Sequence, residues 1–299
     1  MVSYVFRSAP EPPASRQWLA HRFPHRTKLV TDLRQRIQRA PNPITASPPD
    51  PRHFGLAVER TLALDLCVTP PYPDLFARLP ADARRILLTT AGYRPHPVEA
   101  DQPWIRTCGG VLAGRLFTVG SLLTDLDHVL RQLQVASPDD AHRKLRAPLR
   151  HRETLAILAG ATRAARPAFK EFWTSYLAGF RDALNSYGPV VAAPVLLDGL
   201  RVADLIAGTT VVELKTGHLD DTKQFHDLVD QVLTYALLAP PSGHPVTAVV
   251  IYLARYHVMA RYPVDVLAAD LAGAPVDLAE AGEHLGTLIR AEQAPVATA

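Results

Sequence analysis

Two ionisable side chains interrupt an apolar run. In RVADLIAGTTVVELKTG, residues 201–217, Val211, Val212 and Leu214 have the makings of a buried strand, yet Glu213 and Lys215 stand among them. That lysine is one of five in a chain with twenty-seven arginines, which points to a position demanding the smaller, titratable cation. A turn of two residues at Gly208-Thr209, or of four over 207–210, folds the stretch into a hairpin whose symmetric register sets Asp204 opposite Glu213, with Cβ atoms about 4.5–5.5 Å apart. Strand side chains alternate between faces, so Glu213 and Lys215 share one face while Val212 and Leu214 turn toward the core. Facing carboxylates repel. A divalent cation reverses that penalty, and Mg²⁺ takes one or two carboxylates, with water and substrate phosphate completing its shell. The Leu214 carbonyl offers a further oxygen. Lys215 then orients or deprotonates the attacking water, or offsets charge in a phosphoryl transition state. The plain alternative is a solvated strand with one polar face.

The elements that must hold this patch are legible from periodicity and punctuation. Residues 53–66, HFGLAVERTLALDL, repeat apolar residues at helical spacing. VVAAPVLL (190–197) reads as a strand closed by Asp198-Gly199, and LRVADLI and VVELKT as two more. Residues 221–239 read as a helix capped by Asp220 or Asp221 and stopped by Pro240-Pro241. TAVVIYLA (247–254), with a hairpin partner around YHVMARYPV, completes the sheet. Residues 72–186 look mainly helical, with a cap at Ser137 or Asp139 and a stop at Gly188-Pro189. The opening segment, rich in Pro, Ser and Arg, is expected to be loosely ordered apart from a helix around Lys28–Gln38.

With these elements in place, ADLIAGTTVVELKTG resembles the core motif of the PD-(D/E)xK phosphodiesterase superfamily, an acid, a spacer and then acid-x-Lys. No proline precedes Asp204 where the family name would put one. In the following helix Gln231 and Tyr235 form a Gln-x-x-x-Tyr pair on one helical face, similar to the RecB-like branch. As bare helix chemistry, Gln231 would be surface polar and Tyr235 core aromatic. The resemblance implies a restriction-endonuclease-like α/β core, a mixed sheet flanked by helices, carrying a large helical insertion. It implies a nuclease dependent on Mg²⁺ or Mn²⁺, with Asp204 and Glu213 as metal ligands, Lys215 at the nucleophilic water, and Gln231 and Tyr235 bordering the site. The family also places an acid on its first core helix. Glu59, following Gly55, is the candidate, and Glu171 is the alternative. The corresponding organisation is a basic arm (1–50), a core in two pieces (51–66 and 187–265), a helical insertion (67–186) and a helical tail (266–299).

Charge distribution bears on the partner. The first sixty residues carry ten Arg or Lys against four Asp or Glu, and a second basic run includes Arg143, Lys144, Arg146, Arg150 and Arg152. Such asymmetry suits a polyanion, DNA with RNA as the alternative, although solvated helix faces would look the same. Arg255 and Tyr256 at the end of the last core strand are further DNA-contact candidates or a plain strand edge. His21 and His25 read as structural because Phe23-Pro24 separates them, and His218 and His226 read as loop and surface residues, with contact to phosphate or water as the alternative. Cys67 and Cys108 alone support neither a disulfide framework nor a four-cysteine cluster. No apolar run approaches the ~20 residues of a membrane span, and the cytoplasm is the expected compartment.

Overall fold

The computed structural model describes residues 12–40, 43–96, 104–107, 112–132 and 152–294, with backbone only over 152–161. Its centre is a five-stranded mixed sheet in the order β3 (Val190–Ala192), β6 (Leu205–Ala207), β7 (Thr210–Lys215), β8 (Ala248–Leu253) and β9 (Val258–Pro263). Only β7 and β8 are parallel. A parallel neighbour needs a crossover, and the helix of residues Thr222–Leu238 lies between them in the chain.

Helices cover both faces. The first face packs Val211, Val249 and Ile251 against Leu228, Val232 and Leu285. The second packs Val212, Leu214, Val250 and Tyr252 against Phe54, Val58, Phe172 and Phe180, with Phe180 stacked on Tyr252 at 3.6 Å. A third apolar cluster joins Leu64, Leu88, Tyr93, Leu116 and Leu123 beyond the second face.

Three helices bear on the site. Helix α3 (Pro51–Leu66) starts at Asp50, whose carboxylate accepts from the N–H groups of Arg52 and His53 at 3.0 Å, with Pro51 in the first turn. Helix α6 (Ala113–Gln132) packs along it. The helix Thr222–Leu238, α9 in chain order, is capped by Asp221, which accepts from Gln224 N at 2.7 Å.

Several expectations change. The Pro-rich opening carries a helix, α1 (Ala14–Arg22), before α2 (Thr27–Arg39). Leu19, Phe23, Leu29 and Leu33 enter the first-face core, and Ser15 donates to Glu292 in the last helix, Leu278–Gln293. Tertiary burial outweighs the local Pro and Ser signal. The stretch 190–197 is not one strand: Ala193 takes a left-handed φ of 48°, and Val195–Leu196 (β4) leaves to pair with Arg201–Val202 (β5). Within 72–186 a short hairpin, β1 (Tyr93–Pro95) with β2 (Trp104–Arg106), interrupts the helices. The expected caps at Ser137 and Asp139, and Cys108, lie outside the described residues.

Candidate functional site

The hairpin register agrees with the sequence reading: Leu205 pairs with Val212, Ile206 with Val211 and Ala207 with Thr210. The ladder then opens. Ala203 N bonds to Pro194 O, and Leu214 N donates to Asp204 Oδ2 at 2.8 Å. Asp204 therefore lies one step beyond the paired strands, with its carboxylate in place of the next ladder bond. In an antiparallel pair one residue's N–H and C=O face the same partner, so the Leu214 carbonyl faces this opened edge.

Glu213 is fully buried, at 0% exposure, which removes the solvated-strand alternative. Lys215 Nζ stands 2.6 Å from Glu213 Oε1, an ion pair whose angle falls short of a good hydrogen bond, and Oε2 has no partner at all. Lys215 Nζ also donates to Gln231 Oε1 at 2.9 Å, and Gln231 Nε2 donates to the Tyr235 hydroxyl at 3.0 Å. Strand β7 and helix α9 are thus joined through one polar chain, with Gln231 half-buried and Tyr235 buried. Burial and the nearby Asp204 charge push the Glu213 carboxyl up to about 8, against the opposing pull of Lys215. Burial also raises Asp204, opposed by the Leu214 N–H and Lys215. For Lys215, burial works against the charge, but the Glu213 and Asp204 carboxylates outweigh it and hold the pKa up. The group is therefore an ammonium, a donor of protons and charge rather than an acceptor.

Helix α3 brings in the third acid. A Cβ at Gly55 would stand 2.9 Å from Thr216 Oγ1, so this glycine lets the helix pass close to the end of β7. On the other side a Cβ at Gly120 of α6 would meet Ala57 O at 2.6 Å, and His53–Asp125 (2.9 Å) and Arg60–Asp127 (2.7 Å) tie the two helices together. One turn after Gly55, the half-buried Glu59 carboxyl is pushed well up, first by burial and then by Asp204, with Glu213 adding to it and Arg60 opposing. The alternative, Glu171, is elsewhere: it is exposed and accepts from the N–H groups of Thr45 and Ala46. The structure therefore brings Glu59, Asp204, Glu213, Lys215, Gln231 and Tyr235 together at the end of β7. It adds Tyr72, whose hydroxyl lies within the electrostatic reach of Glu59 and Asp204. Nothing in the sequence marks that residue.

Arg255 and Tyr256 turn out to be structural. Arg255 is only 4% exposed, and it exchanges bonds with Ile44, its Nη1 donating to Ile44 O at 2.8 Å while its own carbonyl accepts from Ile44 N. This buried clasp excludes it from the DNA contact considered from its strand-end position. The Tyr256 hydroxyl accepts from Leu219 N. His21 and His226 line a cleft with Arg16, Arg26 and Asp230, and the His25 ring lies against Gly273. His218 is an exposed loop residue after β7. A cleft of about 370 Å³ between α1, β5 and α9 does reach Gln231 and Tyr235, with Arg16 and Arg201 on its walls. Arg143, Lys144, Arg146 and Arg150 lie outside the described residues, as does the side chain of Arg152.

The fit of these residues to a metal rests on donor chemistry. Among the described residues, no three His, Cys, Asp or Glu side chains are already drawn into a chelating cluster. The donors nevertheless suit a hard cation: three carboxylates, of which Asp204 raises both Glu213 and Glu59 and Glu213 raises Glu59 further, an unpartnered buried Glu213 oxygen and a carbonyl on an opened strand edge. Among the described residues no helix is long and apolar enough to cross a membrane. No family model matches this chain, and no curated protein or solved structure matches it either.

Proposed function

We propose that the chain is a metal-dependent nuclease that hydrolyses phosphodiester bonds, most naturally in DNA, on a restriction-endonuclease-like core. The observation that carries this reading is Glu213, a fully buried carboxylate with an unpartnered oxygen, held between Asp204, Glu59 and Lys215. A structural carboxylate would be hydrogen-bonded. Leaving one unsatisfied costs about 1–3 kcal/mol, and such a cost is tolerated where a ligand will occupy the gap.

A hard divalent cation bound by Glu59, Asp204, Glu213 and the Leu214 carbonyl, Mg²⁺ or Mn²⁺ by donor type, would supply positive charge opposite the phosphate. The chain's own residues do the rest. Lys215 has three donors: one is given to Gln231, and the ion pair with Glu213 leaves at least one for the attacking water or a phosphoryl oxygen. Gln231, anchored on the Tyr235 hydroxyl, fixes the ammonium. Tyr235 and Gln231 also reach the neighbouring cleft, which gives a substrate strand a route past the site.

A second reading is a non-catalytic nucleic-acid-binding or assembly subunit that retains the fold. The absence of a ready-made chelating cluster among the described residues favours it. Purified protein incubated with Mg²⁺ or Mn²⁺ on linear, circular, duplex and single-stranded DNA separates the two. Metal-dependent cleavage that is lost in Glu213→Gln supports the nuclease. DNA binding without cleavage under every metal condition supports the subunit. RNA substrates in the same assay decide the nucleic acid.

A further inference from the structure

The segment that follows α3 carries a hydroxyl that no described group bonds. Tyr72 lies in Pro70-Pro71-Tyr72-Pro73 and adopts φ 59°, ψ 52°, the left-handed region that non-glycine residues seldom occupy. The flanking prolines lock the chain around it, and strain of this kind clusters at functional sites. The ring packs against the core cluster that contains Val212 and Leu214, and the Arg60 guanidinium sits 5.6 Å from its centroid. The Glu59 and Asp204 carboxylates are the acids whose charges bear on its hydroxyl, with Arg60 opposing them. The hydroxyl oxygen is shielded from solvent and has no hydrogen-bond partner, and Arg60 Nη1 is likewise buried and unpartnered. Burial and the Glu59 and Asp204 charges keep the phenol protonated, so it is available as a donor.

We infer that the Tyr72 hydroxyl is a hydrogen-bond donor to a phosphoryl oxygen of the bound substrate, beside Glu59 and Asp204. This rests on the phosphodiesterase reading and deepens it: the segment after α3 supplies part of the site instead of merely interrupting the core. A purely structural tyrosine with an unsatisfied hydroxyl would gain from losing that oxygen. Tyr72→Phe separates the two cases, because it keeps the ring, its packing and the Arg60 contact.

Three readouts on wild type and Tyr72→Phe test the inference: the thermal midpoint, turnover on DNA at saturating Mg²⁺, and the rise in midpoint given by inorganic phosphate with Mg²⁺ present. The expected variant melts at or above the wild-type temperature, turns over at least tenfold more slowly and loses most of the phosphate-induced rise. Wild-type turnover in the variant overturns the inference. If the wild-type protein cleaves no DNA at all, the nuclease reading falls separately and the phosphate arm decides: a rise lost in Tyr72→Phe retains Tyr72 as a phosphoryl donor. A rise equal in both proteins, or absent from both, overturns it.

Discussion

Asp65 and Glu213 are both buried carboxylates, at 8% and 0% exposure, and they are treated in opposite ways. Asp65, near the end of α3, is saturated. Arg106 reaches one oxygen at 2.8 Å, and the Tyr176 hydroxyl and Arg181 Nε reach the other at 2.7 and 2.8 Å. Those partners come from two separate elements, so the acid ties the β1–β2 hairpin and the long helix ending at Tyr187 to α3. Glu213 has a single cation at an imperfect angle, an unpartnered oxygen and two further acids close by. One carboxylate is satisfied because its work is to hold elements together; the other is left short because its partner is not part of the chain.

Breaking each acid should therefore give opposite results. Glu213→Gln is isosteric with the protonated acid and should abolish metal-dependent cleavage by a factor on the order of 10³, about 4 kcal/mol of barrier, while the fold stays intact. Asp65→Ala strands two arginines and a tyrosine around an empty position and should cost about 3–5 kcal/mol of stability. Denaturant midpoints and single-turnover cleavage on both variants check the contrast. A Glu213→Gln protein as unstable as Asp65→Ala would mean that both acids are structural.

Lys215→Arg sharpens the comparison by keeping the charge and changing the shape. The ammonium fits a slot between Glu213 and Gln231, where the wider planar fork would displace the water it should serve. Turnover should fall by about 10–100-fold, within the usual worth of a positioned proton-handling group, with DNA affinity nearly unchanged. Wild-type turnover in this variant would leave Lys215 with charge neutralisation alone.

A further contrast is the pH dependence of the metal-free protein. Glu213 ionises near 8 when folded and near the ordinary 4.5 when unfolded. Its folded pKa is raised, so its contribution to stability is fully present below pH 4.5 and is lost as pH rises toward 8. The thermal midpoint should decline across that window in wild type and decline less in Glu213→Gln, with saturating Mg²⁺ also flattening it. Equal slopes in the two proteins would show that the Glu213 carboxyl ionises normally.

What the sequence discloses, and what it hides, follows from the range of the interactions. Local signals were sufficient for α9, where Asp221 is the cap expected of it, for the apolar period of α3, although that helix starts earlier, at Pro51 behind Asp50, and for the hairpin register, which a symmetric turn determines. Glu59 and Glu171 could not be separated locally, because the difference is that Glu171 holds the backbone of Thr45 and Ala46, over a hundred residues away. Arg255 misled for the same reason: a cation at a strand end looks like a phosphate contact until Ile44 folds back onto it. The opening helix was obscured by the prolines before it, since what holds it, apolar burial, the Arg16 pairs with Asp227 and Asp230 and the Ser15 bonds to Glu292, forms only in the folded chain. Tyr72 left no trace, because a hydroxyl without a partner is visible only once its surroundings are in place.

Calorimetric titration of Mn²⁺ into the metal-free protein at pH 6 and pH 8, with Glu213→Gln beside wild type, tests the central claim most directly. If the half-paired acids await a cation, wild type should bind Mn²⁺ with protons released and with affinity at least tenfold higher at pH 8, because the ligands must ionise first. Glu213→Gln should lose most of that affinity at both pH values. Absence of Mn²⁺ binding to folded wild type at pH 8, or equal binding by the variant, would contradict the account.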